Sequence, residues 1–527
     1  MKSAIKYVFL SALLAALVAA GVVGYNQFAS KKKDMEVERI GASLRKSIAL
    51  LDAMPPLPAL KPPAPAAGVP DQFADLVEKR ARIRGGNISA IRRDLPPVLR
   101  RFEAGEASED EVMAILAPVY APHEKALPAL DKWVAEEPGS YAALLARGIV
   151  RYSLGWHWRG GDYIPYTPKE NLAEMTRLHV LAADDFVLAL SKSRYPVTAV
   201  GELVGIAMTH GWKEESKNLY LAGERLLPSS SHMFSSYKPV LYAEWGSGSV
   251  PAAKAFLRRA EDNGVSLETR SALMRHLMNI ESGDRFSIGK PDALPHAIEF
   301  SERYNTIDGW WRRASVELSL DLYEESLKSL LRVAEKYPSS PAVMADIAWV
   351  FRKLNRPEDA KQAMRRTADL GSNWAQGQII ADLVWERNGV KRDWDKLRVE
   401  CETSAEMLNH WGQNCIAGMY FEGLAGYPKD RAKAIAFFEL AARQGNERAQ
   451  HDYGWMLIQG MNVKPDREKG LFYMRNSARQ KFPPALEKLK QLGERTDNLE
   501  WKANPLEDRK RDLDRLLDRG SIWRGAY

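Results

Sequence analysis

The sequence predicts an all-α chain whose C-terminal part is a solenoid of stacked helix pairs, set behind an N-terminal transmembrane helix. Three observations carry this. From Ala375 to Leu489 the chain repeats itself every 36 to 37 residues: Asp393, Asp430 and Asp466 recur, with Leu397, Ala434 and Gly470 four positions later. Ala405, Ala442 and Ala478 follow in register, and Ala381, Ala417 and Gly454 open each unit. Helical stripes also fill the region from Phe73 to about Phe300, where strand-like alternation is scarce. Finally, an uncharged apolar run extends from Tyr7 to Tyr25. One helix pair cannot bury its own apolar face, so a repeat of this period implies neighbours stacked into a continuous core.

The N-terminal run is near the ~20 residues that a membrane-spanning helix needs, and longer than most signal-peptide cores. We expect segment 1–33 to be an uncleaved anchor; Val18-Ala19-Ala20 leaves a removed signal sequence as the alternative. Orientation is balanced. Lys31, Lys32 and Lys33 outnumber Lys2 and Lys6, which favours a cytoplasmic bulk, whereas a short basic N-terminus favours export. The reading leans to a single-pass inner-membrane protein with a periplasmic bulk.

Segment 34–53 has Val37, Ile40, Leu44, Ile48 and Leu51 at helical spacing. It reads as a juxtamembrane helix continuing out of the bilayer, with a two-heptad self-association seam as the sharper alternative. Segment 54–70 is a linker crowded by seven prolines between Pro55 and Pro70. At ~3.1 Å per residue it would hold the body roughly 50 Å from the anchor. The net charge of +7 on 527 residues sits largely in one place. Lys79, Arg80, Arg82, Arg84, Arg92, Arg93, Arg100 and Arg101 face only Asp94 locally, so the rest of the chain is close to neutral. That block lacks interleaved aromatics, which argues against nucleic acid; we expect a solvated helix surface, with contact to acidic lipid or protein as the alternative.

Residues 71–300 form a helical domain. Val200, Leu203, Ile206 and Ala207, a turn at Gly211-Trp212, then Leu219, Ala222 and Leu226 make one helix–turn–helix. Two glycine-rich breaks interrupt the pattern, Trp156-His157-Trp158-Arg159-Gly160-Gly161-Asp162 and Glu244-Trp245-Gly246-Ser247-Gly248-Ser249. Trp156, Arg159 and Gly160, with Trp245, Gly246 and Ser247, resemble a bacterial family of unknown function that carries Trp-x-x-Arg-Gly and Trp-Gly-Gly-Ser elements beside Sel-type repeats. Here Ser247-Gly248 departs from its Gly-Ser. The family has no established activity to carry over, so Trp156, Arg159, Gly160, Trp245 and Gly246 are taken as a candidate binding surface.

Residues 301–489 are the repeats. Trp310–Pro338 and Pro341–Gly371 fit the tetratricopeptide pattern, with Ile347, Ala348, Phe351, Ala360 and Met364 at interlocking positions. The three later units resemble Sel-type repeats: Ile380-Ala381-x-x-Val384 to Asp393, Ile416-Ala417-x-x-Tyr420-x-x-Gly423 to Asp430, and Tyr453-Gly454-x-x-Leu457-x-x-Gly460 to Asp466. That resemblance implies an adaptor that assembles protein complexes, with bacterial relatives often exported to the envelope. The inner curve of such an array is where an extended partner segment is expected to lie. Residues 490–527 read as a capping helix and tail, with Asn504 as N-cap, Pro505 and Glu507 in the first turn, and Gly520 at the stop.

Chemistry is hard to find. No histidines have metal-ligand spacing, and no phosphate loop, dinucleotide fingerprint or nucleophile elbow is present, so we assign no catalytic residue, metal or cofactor. His157, between two tryptophans and near Arg159 and Asp162, is the best polar constellation and reads first as a satisfied turn histidine. The expected function is a membrane-anchored adaptor for a protein partner. The runner-up is a helical enzyme acting on an envelope polymer through Trp156–Asp162.

The two cysteines, Cys401 and Cys415, fall in successive helices. Bonded, they would close a 15-residue loop and place the chain in an oxidising compartment. With the turn at His410-Trp411 their levels would differ by roughly 6 Å along the helices, which disfavours a bridge. A disulfide and a buried free thiol both stay open.

Overall fold

The computed structural model describes residues 35–54, 76–160, 164–241, 249–281, 289–337, 340–387, 389–497 and 499. Among the described residues there is no strand, and no helix long and apolar enough to cross a membrane. The expected span from Tyr7 to Tyr25 lies outside them, as do the proline linker, Trp245, Gly246 and the capping helix after Asn504.

The first twelve α-helices make the N-terminal body. They are α1 (35–52), α2 (Leu76–Arg84), α3 (Ser89–Glu103), α4 (Glu109–Leu116), α5 (Leu127–Glu136), α6 (Tyr141–Arg159), α7 (Lys169–Leu190), α8 (Val197–Thr209), α9 (Lys213–Leu226), α10 (Ser231–Tyr237), α11 (Val250–Asp262) and α12 (Leu267–Glu281). One apolar core runs through them from Ile40 to Leu277, with Trp133, Phe186 and Phe234 fully buried. The long pair α6 and α7 forms its middle. Gly148 makes their close approach feasible, because a Cβ there would stand 2.5 Å from the Phe186 ring.

One expectation is corrected in this body. Helix α1 is not a self-association seam. Its apolar stripe is already used: Ile40, Leu44 and Leu51 are buried in the common core, and Gly41 lies flat on the Trp212 ring. Polar ties flank that contact, Arg39 to Asp184 at 3.0 Å and Arg225 to Asp52 at 2.9 Å. The basic block is largely the solvated helix surface expected, with Lys79, Arg82, Arg92, Arg93, Arg100 and Arg101 exposed, and several of its charges are paired. Arg80 is buried, Arg92 bonds Glu136 at 2.8 Å and Glu137 at 2.6 Å, and Arg101 reaches Glu111 at 3.2 Å. The neutralising acids come from α4 and α5, which a local charge count does not see.

The repeats follow: α13 (Ala293–Tyr304), α14 (Ile307–Ser319), α15 (Tyr323–Lys336), α16 (Pro341–Lys353), α17 (Pro357–Asp369), α18 (Asn373–Trp385), α19 (Trp394–Glu406), α20 (His410–Glu422), α21 (Arg431–Arg443), α22 (Glu447–Gln459), α23 (Arg467–Arg479) and α24 (Pro483–Gln491). The recurring aspartates are N-caps. Asp393, Asp430 and Asp466 accept from the backbone N–H three residues on, at 3.0, 3.0 and 2.9 Å, and so start α19, α21 and α23. The recurring small residues set helix spacing. Ala434 and Ala442 are fully buried, and Gly454 and Gly470 oppose each other so closely that a Cβ on either would meet the other's carbonyl within 2.8 Å. Asn409 caps α20 while its amide donates to the Asn373 carbonyl at 2.9 Å, tying one unit to the one before.

The array also touches the body. Leu76 and Ala117 join the cluster that runs from Ile307 to Ala375, and Leu408 packs on the N-terminal core.

Candidate functional site

The expected surface at Trp156, Arg159 and Gly160 is the corner where α6 turns into α7. Helix α6 ends at Gly160, whose φ of 66° an L side chain would resist. Trp156 is half-buried against the core and lies 6.4 Å from the Tyr152 ring and 6.0 Å from His179. Arg159 turns back on its own corner, donating to the Gly160 carbonyl at 3.1 Å and to Thr167 Oγ1 at 3.5 Å. Desolvation pushes the His157 imidazole down to about 4, so it is neutral near pH 7. Behind the corner lie paired polar groups. His179 Nδ1 is 3.0 Å from His210 Nε2, and Tyr120 donates to Glu202 at 2.7 Å. Gly155 and Gly201 clear the space that the His179 and His232 rings fill, at 2.5 and 2.3 Å from where a Cβ would be. These pairs reach between α7, α8 and α10 as internal packing. Among the described residues no three His, Cys, Asp or Glu side chains gather as a metal site. An open hollow of about 400 Å³, lined by Trp310, Arg332 and Lys336, lies on α13–α15 and not at this corner.

What the corner does is grip the repeats, through residues that sequence reasoning missed. Arg443 stacks over Trp158, its Cζ 4.5 Å from the ring centre, and Arg479 stacks over Tyr166 at 4.2 Å. The two arginines end α21 and α23, the same position in successive units. Asn171 is fully buried and doubly used: its amide donates to the Arg443 carbonyl at 2.8 Å and its oxygen accepts from Arg443 Nε at 2.8 Å. Asn476 donates to the Tyr166 carbonyl at 2.9 Å. Lys469 lies 3.0 Å from Glu170 and 3.3 Å from Glu439. Burial works against its charge, but these two carboxylates outweigh that and hold its pKa above the usual range. The recurrence of arginine at 443 and 479 was the available signal. Its rings lie about three hundred residues back in the chain, where no periodicity points.

A second arginine–aromatic cluster lies on α22. On α22, Arg448, His451 and Trp455 fall three and seven residues apart, hence on one face. The Arg448 guanidinium lies 4.4 Å from the Trp385 ring centre and 5.3 Å from that of Phe482. Arg387 covers the Trp385 ring at 5.0 Å, His451 meets Phe482 edge-on at 5.6 Å, and Lys488 sits over Trp455 at 4.2 Å. Exposed apolar side chains continue across neighbouring units at Trp385, Trp394, Val399, Leu424 and Met461.

Cys401 and Cys415 are disulfide-bonded, their Cα atoms 5.9 Å apart. The expected offset along the helices is corrected. The reversal centres on Leu408, in the left-handed region at φ 58°, with the cysteines seven residues to either side, so they stand level.

Residues 413–446 and 447–482 each match the Sel1 repeat family. The chain carries Sel1 repeats. Arg443, Arg448 and Arg479 thus all belong to matched Sel1 units, as do Asp430 and Asp466. No curated protein matches the chain. Among solved structures it is similar to a Sel1 repeat protein from Oxalobacter formigenes, at 19% identity over 47% of this chain and 99% of that one, with a TM-score of 0.31. It is also similar to a protective antigen of uropathogenic Escherichia coli strains displaying an SLR fold, at 16% identity over 85% of this chain and 91% of that one, with a TM-score of 0.34. Sel1 repeat proteins generally mediate protein–protein interaction.

Proposed function

We propose that this protein is a membrane-anchored Sel1-repeat scaffold that binds a protein partner in the bacterial envelope, and that it works by binding rather than turnover. The observation that carries the reading is the band of exposed apolar and aromatic side chains on consecutive repeats, from Trp385 to Met461. Exposed apolar groups that recur along a repeat array offer contact area to a protein partner. Leu424 and Met461 hold the same place in successive units, so the band follows the array. Two features support the envelope. The apolar run from Tyr7 to Tyr25 has the length of an anchor. The Cys401–Cys415 bond suits an oxidising compartment such as the periplasm, where disulfides persist.

Fractionation of cells making the full-length chain tests this. We expect the protein in the membrane fraction, with both cysteines refractory to alkylation until reduced and with a stoichiometric protein partner after cross-linking. A soluble protein with two labelled thiols would contradict the location. Full-length protein purified from membranes with no partner at stoichiometric level would contradict the scaffold.

A further inference from the structure

Helix α1 stands in the chain between the apolar run and the proline-rich segment 54–70. That segment could act as a spacer only if α1 were free of the body, and it is not. Ile40, Leu44 and Leu51 are buried in the common core, and Met54 packs against it as the chain leaves. The chain comes back at α2, where Ile83 lies in the same core and Leu76 joins the neighbouring cluster with Ala117. Both ends of the proline segment are therefore held on the body, and its length adds nothing to the reach from the apolar run. That reach is short. Ten residues separate Tyr25 from Met35, a span of at most about 35 Å when fully extended. Lys33 stands two residues before Met35, and cations so close to a membrane segment favour an anionic lipid surface.

The direction of α1 says which end of the body is near the lipid. Arg39 and Ser43 both reach Asp184, at 3.0 and 3.2 Å. Further back on α7, Arg177 bonds Glu174 at 2.7 Å, and its charge is favoured by that carboxylate first and by Glu36 of α1 in addition. Earlier residues of α1 thus meet earlier residues of α7, so the helices run parallel and Met35 lies toward the start of α7. Two large apolar side chains are widely exposed at that end: Met35 itself, at 66%, and Ile164, at 65%, in the turn that leads into α7. The Sel1 units are fastened there too, Asn171 to Arg443 and Glu170 to Lys469, in the first turn of α7. We infer that α1 seats the body on the bilayer surface with the start of α7 nearest the lipid, so that the Sel1 units meet their protein partner beside the membrane. The inference rests on the anchor of the proposed function and removes the spacer role expected of the proline segment.

Energy transfer in proteoliposomes that hold the full-length protein and headgroup-labelled acceptor lipid tests it. Cys401 and Cys415 are bonded to each other, so a thiol-reactive donor dye goes only to an introduced cysteine. Ala173 and Lys192 are exposed near the two ends of α7, roughly 30 Å apart at the helical rise. A donor on Ala173→Cys should lose most of its emission, and one on Lys192→Cys much less. A twenty-residue helical spacer, about 30 Å long, inserted between Lys33 and Asp34 should restore the emission at position 173. The same spacer inserted between Ala66 and Ala67 should leave that emission low. Circular dichroism should show both insertions folded, since neither interrupts a helix of the body. A bright donor at position 173, equal emission from the two sites, or recovery caused by the Ala66–Ala67 insertion alone would overturn the inference. Protein that leaves the vesicles on alkaline washing would defeat the anchor reading, and the inference with it. Protein that stays on the vesicles with a bright donor at position 173 leaves the anchor standing, and only the inference fails.

Discussion

The same two Sel1 units present two arginine–aromatic surfaces that differ in one respect. At the seam with the α6–α7 corner, Arg443 and Arg479 stack on Trp158 and Tyr166, with Arg443 Nε donating to Asn171 and Arg479 Nη1 to Asn476. On the α22 face, Arg448 stacks on Trp385 and Phe482 and makes no ion pair or side-chain hydrogen bond among the described residues. Stacking alone is worth about 0.5 to 1 kcal/mol at an exposed site and occurs widely in structural contacts. It therefore says little about function. What distinguishes the two surfaces is that the seam arginines bond to asparagines of the body and of their own helix, whereas Arg448 is held by ring contacts.

The largest perturbation should destroy both surfaces together. Ala442 is fully buried next to Arg443, where the units approach closely. Ala442→Arg would overpack that contact and bury an unpaired charge, at a cost of about 3 kcal/mol or more. The melting midpoint should fall clearly, and cross-linking to the partner protein should fall with it. An unchanged midpoint would mean that the α21 register is wrong.

A smaller change should break the seam alone. Asn171→Leu keeps the branched outline with a somewhat larger side chain but strips partners from the Arg443 carbonyl and Nε, both directed at a fully buried site. Leaving such groups unpaired costs about 1 to 3 kcal/mol. Urea unfolding should register that loss while cross-linking to the partner protein stays put. Lost cross-linking at unchanged stability would reverse the roles assigned to the two surfaces.

Much of the repeat architecture was readable in the sequence because its causes are local. Asp393, Asp430 and Asp466 recur since each must cap a helix, and Ala434, Ala442, Gly454 and Gly470 recur since helices touch there. The seam was not readable, for the opposite reason. Trp158 and Tyr166 meet Arg443 and Arg479 only because the array returns to the body, and no spacing along the chain encodes that. Trp156 and Arg159 were singled out for their glycine neighbours, yet they serve their own corner and the adjoining Trp158 makes the long-range contact. The cysteine geometry turned on a smaller matter. A reversal at Leu408 rather than His410 brings Cys401 and Cys415 level, and nothing in the residue types marks that shift.

A photo-cross-linking amino acid placed at Trp385, and separately at Tyr166, in the full-length protein inside cells probes the contrast between the surfaces most directly. The account predicts that position 385 couples to a second protein, and that position 166 couples only within the chain, to the α23 region around Arg479. Coupling of position 166 to another protein, with position 385 silent, would contradict it.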